Sequence, residues 1–202
     1  MTEVAAIILA AGLSRRMGAQ NKLLLPIGEM PMIRHVAMQY RAAINGPITV
    51  VTGHDQAAVT ATVQDIANTS CVFNPDYETG QQTSVAVGLQ NTQLADVTLI
   101  GLGDQPLLRS ADIVALLTAH RSDAPKKISI PAQGDTRGNP IVVPRDVRPY
   151  LTADPNKPGC MRFTRDNPNL VQRHTLQAAG FYTDIDTPDA YARICKERGL
   201  AK

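Results

Sequence analysis

The sequence predicts an α/β fold, a mostly parallel sheet with helices on both faces. Three observations predict it. Short apolar runs rich in β-branched residues alternate with longer stretches of helical periodicity. The first such run, Val4–Leu9, ends in a turn of small residues, as a strand does at the ligand-binding edge of a parallel sheet. The chain has 202 residues, 44% hydrophobic and 19% charged, which suits one large domain with a single core.

Each element has its own reason. Val4–Leu9 is apolar throughout and reads as a buried strand. Met32–Ile44 sets Ile33, Val36, Ala37 and Tyr40 at helical spacing. Ile48–Thr52 is bounded by Gly46-Pro47 and Gly53 and reads as a strand. Asp55 is placed to cap a helix running to about Ile66. Cys71-Val72-Phe73 is a short strand stopped by Asn74-Pro75. A helix over Thr83–Leu94 and a strand over Val97–Leu102 follow. Ser110–His120 is a helix with Ile113, Leu116 and Leu117 on one face and Ser110 or Asp112 as its cap. Ile128-Ser129-Ile130 and Ile141-Val142-Val143 are strands. Helices are expected around Asp146–Leu151, Met161–Asp166 and Pro188–Arg198. Right-handed crossovers put all the strand C-terminal ends on one edge. Pro131–Pro140 and Asp154–Gly159 read as loops at that edge, not as linkers.

Bulk composition excludes several function classes. Formal net charge is +2, and the only adjacent basic pairs are Arg15-Arg16 and Lys126-Lys127, so neither a nucleic-acid nor a membrane partner is expected. Cys71, Cys160 and Cys195 are odd in number and lack metal-ligand spacing, which points to reduced thiols and a cytoplasmic location. The apolar run before Gly12 is too short for a signal peptide or a spanning helix. His35, His54, His120 and His174 show no ligand spacing.

The stretch with most chemical content is Leu9-Ala10-Ala11-Gly12-Leu13-Ser14-Arg15-Arg16-Met17-Gly18, with Lys22 shortly after. Small residues after a strand present bare backbone N–H groups, and Gly12 and Gly18 allow close approach to a ligand. Arg15, Arg16 and Lys22 add three cations with no acid among them. Backbone donors plus cations suit a polyphosphate. The glycine spacing is neither the dinucleotide fingerprint nor a P-loop. The plain alternative is an ordinary connection with solvated cations.

Two acidic segments complement this loop. Gly103-Asp104-Gln105-Pro106 follows a strand end, and Asp184-Ile185-Asp186-Thr187-Pro188 precedes the last helix. In an extended segment Asp184 and Asp186 share a face and Ile185 takes the other. Beside a polyphosphate, Asp104 and Asp186 are candidate ligands for Mg²⁺, with Mn²⁺ as a substitute and Asp184 in reserve. Taken singly, Asp104 reads better as a capping or turn aspartate, and one aspartate of the second segment as a cap of the final helix.

These motifs resemble the nucleotidyltransferases that activate small phosphorylated acceptors, and within them the molybdenum-cofactor branch of the MobA-like NTP transferase family. Leu9–Gly18 with Lys22, Gly103–Pro106, Arg137-Gly138-Asn139-Pro140 and Asp184–Pro188 carry the resemblance in order along nearly the whole chain. It implies a three-layer αβα, Rossmann-like nucleotidyltransferase fold. Residues 1 to about 110 would bind nucleotide and 111–202 the acceptor, within one domain. It also implies CMP transfer from CTP to the terminal phosphate of molybdopterin, releasing pyrophosphate. On this resemblance Arg16, Lys22 and Asp104 are catalytic. Leu9, Ala10, Ala11, Gly12, Ser14, Arg15, Gly18, Gly80 and Ser84 bind the nucleotide. Gln105, Arg137, Gly138 and Asn139 face the acceptor. Alanine at both Ala10 and Ala11 fits cytosine, where guanylyl relatives carry Ala-Gly. Two departures stand out: Gln82 replaces a serine, and the acceptor loop expected as Gly-Asp-x-Gly-Ala-Arg becomes Asp154–Arg162, keeping Gly159 and Arg162. A molybdoenzyme or its chaperone is the implied transient protein partner. The rival readings are guanylyl transfer to the same cofactor, transfer to a sugar or polyol phosphate, and a pterin- or nucleotide-holding chaperone without turnover.

Overall fold

The computed structural model describes residues 2–18, 20–153 and 159–197. Its centre is one sheet. Strand β1 (Val4–Ala10) is buried at every position and pairs in parallel with β4 (Ile48–Thr52) and β6 (Val97–Leu102). Two short strands, β2 (Pro26–Ile27) and β3 (Met30–Pro31), form a separate hairpin. The main sheet adds β5 (Thr69–Phe73), β7 (Ile128–Gln133), β8 (Thr136–Arg137), β9 (Ile141–Pro144) and β10 (Val171–Thr175). Its order is β10-β7-β9-β6-β1-β4-β5, with β8 on β7. The helices are α1 (Met32–Ala43), α2 (Gln56–Val63), α3 (Gln81–Asn91), α4 (Ser110–Asp123), α5 (Cys160–Asp166) and α6 (Pro188–Glu197).

The two faces are written into β1 by alternation. Ala6, Ile8 and Ala10 pack with Ile33, Val36 and Tyr40 of α1, Val59 of α2 and Ile113 and Leu116 of α4. Ile7 and Leu9 point the other way, into Val85 and Leu89 of α3 and Cys160 of α5. A period of two thus serves two separate apolar layers. Helix α6 joins a third, smaller cluster through Ile194, with Met32, Ile27 and Ile185.

The structure corrects the sequence reading in several places. Strand β9 runs antiparallel to β6 and β7, so one strand begins, rather than ends, at the ligand edge. Strand β10 is absent from the sequence expectation; its residues Val-Gln-Arg-His-Thr carry only one aliphatic side chain, and it gains its place by pairing in parallel with β7. The helix expected around Asp146–Leu151 is a 3-10 turn over Arg148–Leu151. That turn aims Arg148, which is buried, at the carbonyls of Leu89, Thr92 and Gln93 where α3 ends. A guanidinium there satisfies groups a helix terminus leaves unpaired. Asp55 takes a left-handed conformation before α2 and makes no side-chain cap. At α4 it is Asp112 that accepts a hydrogen bond, from the Arg109 N–H at 2.9 Å. Residues 154–158 of the expected acceptor loop, and Arg198 at the end of the last helix, lie outside the described residues.

Candidate active site

The loop after β1 is shaped by local hydrogen bonds rather than by regular structure. Ser14 adopts φ +50°, and its hydroxyl accepts from the Lys22 N–H at 3.2 Å. The Asn21 carboxamide accepts from the Leu23 N–H at 3.0 Å. Met17 is buried and pins the turn while Gly12, Arg15, Arg16 and Gly18 stay exposed. The net effect is to carry Lys22 inward, leaving its side chain 10% exposed.

There it meets both acidic segments. Lys22 Nζ lies 2.5 Å from Asp104 Oδ2 and 2.7 Å from Asp186 Oδ1. The far oxygen of Asp186 pairs with Arg16 at 2.6 Å. Asp184 completes the group: one oxygen from each of Asp104, Asp184 and Asp186 lies within 4.8 Å of the others. The geometry follows from the backbone. Ile185 is fully buried and its N–H donates to the Asp104 carbonyl at 3.0 Å, which seats the Asp-Ile-Asp segment against the strand end. Burial penalises the Lys22 ammonium, but Asp104 and Asp186 outweigh it and hold its pKa above the ordinary value. Burial, with Asp184 and Asp186 nearby, pushes the Asp104 carboxyl up against the pull of Lys22. Asp186 is also opposed by burial, yet Lys22 and Arg16 hold it down.

The donor set suits a hard divalent cation. Three carboxylates offer only oxygen, as Mg²⁺ and Mn²⁺ prefer. Asp104 Oδ1 is buried and has no hydrogen-bond partner among the described residues. An unsatisfied buried acceptor of this kind is available to a cation or a water.

Beside the acids is a cavity of about 670 Å³ between α3, β6, β9 and α5. Leu9, Val85, Ile100, Leu102 and Ile141 form its apolar walls. Arg137, Arg162 and Arg165 supply positive charge, Asn139 and Gln81 neutral polar groups, and Asp184 joins it to the acid trio. Arg137 is oriented by a 2.6 Å hydrogen bond to Thr164 Oγ1, and burial lowers its pKa. Burial also pushes the Cys160 thiol up to about 12, which makes it a poor nucleophile.

The expected site residues divide clearly. Arg16, Lys22, Asp104, Asp184 and Asp186 converge, and Leu9, Arg137 and Asn139 line the adjoining cavity. Ala10 and Ala11 are buried at the strand end beside it. Ser84 is not on the cavity wall; it is buried, and its hydroxyl accepts from Asn74 Nδ2 at 2.9 Å. Gly80 precedes α3 at φ +136°, where a side chain would be strained. Gln105 and Gly138 stand behind the wall. Gln105 is buried and donates to the Phe181 carbonyl at 3.2 Å, and the same carbonyl accepts the Asn139 N–H at 2.9 Å. A Cβ on Gly138 would come within 2.8 Å of the Phe181 carbonyl oxygen. Sequence reasoning misses Gln81, Val85, Met161 and Arg165, which carry no motif signal.

A family model described as the MobA-like NTP transferase domain matches residues 6–174. The molybdenum cofactor cytidylyltransferase of Escherichia coli is 30% identical over 98% of both chains. The nicotine blue oxidoreductase of Paenarthrobacter nicotinovorans is 27% identical over 95% of this chain and 96% of its own. Among solved structures, Rv0371c of Mycobacterium tuberculosis superposes with a TM-score of 0.81 at 23% identity, over 96% of this chain and 98% of that one. The same protein solved with manganese gives 0.75 at 22%, over 96% and 99%. The likeness to Rv0371c is one of fold. The matched segment runs from β1 into β10 and so takes in the glycine turn after β1, Asp104 and the cavity's Arg137 and Asn139; on that match the chain belongs to the MobA-like NTP transferase family.

Proposed function

We propose that the protein transfers CMP from CTP to the terminal phosphate of molybdopterin or molybdenum cofactor and releases pyrophosphate. The observation that carries the reading is the meeting of Lys22 and Arg16 with Asp104 and Asp186, from three distant parts of the chain, at the mouth of a cavity lined by arginines. Similarity over nearly all of both chains to a cytidylyltransferase of that cofactor supports the choice of substrates.

The chemistry needs no covalent enzyme intermediate. An acceptor phosphate oxygen attacks the α-phosphorus in line; that P–O bond forms as the α–β bridge breaks, and the electron pair leaves with pyrophosphate. The protein then has to position and neutralise. Arg16 and Lys22 hold the β- and γ-phosphates, with Arg15 assisting from the exposed loop. Backbone from Leu9 to Gly12, with Ser14 and Gly18 shaping the turn, borders the nucleotide, and Gly80 and Ser84 support the base side through the start of α3. Arg137 pairs with the acceptor phosphate, Asn139 borders it, and Gln105 and Gly138 hold that wall in place. Asp104 and Asp186, with Asp184 as third donor, hold the divalent cation. When bound, Mg²⁺ or Mn²⁺ supplies positive charge to the phosphate oxygens. The cofactor product would pass to a molybdoenzyme or its chaperone. A cytoplasmic setting accords with three free cysteines, and no helix among the described residues is long and apolar enough to cross a membrane.

Pyrophosphate release tests the reading. CTP with molybdopterin and Mg²⁺ should exceed GTP with the same acceptor and CTP with sugar or polyol phosphates. GTP preference would move the chain to guanylyl transfer. Nucleotide binding without release would favour a chaperone, and redox turnover without release would align it with the oxidoreductase relative.

A further inference from the structure

We infer that Lys22 is a resident counter-ion for the acid trio, so that the divalent cation enters with the triphosphate and not before it. The inference rests on the proposed role of Asp104, Asp184 and Asp186 in holding the cation.

Lys22 Nζ occupies the point where Asp104 Oδ2 and Asp186 Oδ1 converge, 2.5 and 2.7 Å away. Arg16 takes the second oxygen of Asp186. Both cations that would grip phosphates are therefore bound to carboxylates when no nucleotide is present. A divalent ion approaching those oxygens alone meets an ammonium a few ångströms away. If it displaced Lys22, it would leave a largely buried ammonium without an anion, which is costly. The Lys22 N–H is tied to Ser14 Oγ at 3.2 Å, which fixes where the side chain starts, and that side chain is only 10% exposed. A triphosphate changes this balance. Its oxygens offer Lys22 and Arg16 new anionic partners at the moment the cation takes their old ones. Every charge stays paired throughout, and the exchange is favourable only when both ligands arrive together. Metal and nucleotide should then bind with positive cooperativity, set chiefly by one side chain.

The test is Mn²⁺ binding to the metal-free 202-residue chain at pH 8 without nucleotide, read by the electron paramagnetic resonance of free Mn²⁺. Lys22→Met should bind at least about tenfold tighter than the unsubstituted chain, because a unit charge in direct contact has gone. Arg16→Ala, at an exposed position, should gain about two- to fivefold and keeps the test open if Lys22→Met does not fold. Lys22→Met/Asp104→Asn should lose the gain. Unchanged or weaker Mn²⁺ binding in both single variants overturns the inference, as does a gain that survives in the double variant. Pyrophosphate release by the unsubstituted chain separates the two readings. Release with unchanged Mn²⁺ affinity in the variants sinks the counter-ion alone. Tighter Mn²⁺ in a chain that never releases pyrophosphate sinks the proposed function alone.

Discussion

Replacing Lys22 by methionine should damage stability and turnover through different causes, and a second substitution should pull the two apart. The Lys22 and Asp104 side chains are only 10% and 15% exposed. Removing one partner of a buried pair costs about 3–5 kcal/mol, since the other charge is left in a poor solvent. Burial and its acidic neighbours raise the Asp104 pKa even against the pull of Lys22, so with Lys22 gone the carboxyl takes up a proton more readily, which softens the loss. The lower end, about 3 kcal/mol, is expected for Lys22→Met in urea unfolding. Lys22→Met/Asp104→Asn removes both charges and should recover about 2 kcal/mol of that. Turnover should behave otherwise. Loss of one well-placed charge stabiliser lowers kcat by about two to three decades, and Asp104→Asn returns nothing because it withdraws a cation ligand as well. Both quantities should be measured where all the variants are folded, with pyrophosphate release at saturating CTP as the activity. Recovery of turnover together with stability in the double variant would refute the reasoning, and so would near-normal turnover in Lys22→Met.

Three further outcomes follow from other parts of the molecule. His120 is buried, with Nδ1 2.9 Å from Ser129 Oγ, which also contacts His174 Nε2 at 2.9 Å. Burial, with His174 and Arg121, pushes its pKa down from 6.5 to about 4. Below pH 6.5 the unfolded chain takes up a proton that the folded chain refuses, so this stability is complete above that pH and is lost as pH falls through about 4, by about 3 kcal/mol. Urea midpoints at pH 7 and 4.5 should differ less in His120→Gln; equal slopes would count against His120 as the source. The Tyr40 hydroxyl is fully buried with no partner among the described residues, so Tyr40→Phe should raise stability by about 1 kcal/mol in thermal unfolding. A loss of that size would reveal a hidden partner. Arg137→Met should raise KM for the acceptor about ten- to a hundredfold and leave KM for CTP unchanged, and equal changes in both would remove it from the acceptor side.

Much of this architecture is legible in the order of the amino acids, and the reason is physical. β1, β4 and β6 are buried on both faces, so their residues must be continuously apolar, and that pattern is visible in one dimension. Asp184 and Asp186 can be placed on one face because Ile185 must turn into the core, where it is fully buried. Strand β10 is illegible because nothing local favours it: Arg173 and Thr175 are exposed, and its pairing partner lies in β7, far along the chain. The reversed direction of β9 is hidden for the same reason, since Ile141-Val142-Val143 reads alike in either direction. In the site, charge and glycine spacing are informative about Arg16, Lys22 and Asp104. The burial of Ser84 behind Asn74, and of Gln105 behind Phe181, depends on long-range packing that no motif encodes. Tolerance of Gly101 is similar: a Cβ there would collide with the Tyr40 hydroxyl, a constraint set by a helix crossing the sheet.

The reversed strand beside β6 has a consequence for how the protein could diversify. Because β9 departs from the rim where its neighbours arrive, the stretch around Asn139–Ile141 borders the cavity from a hairpin that closes on β7 and β8. β1, with its glycine turn, lies on the far side of β6. A graft exchanging that hairpin would reshape one wall of the cavity and leave in place the turn that carries Arg16 and Lys22, so one scaffold can change its cavity by swapping a single ribbon.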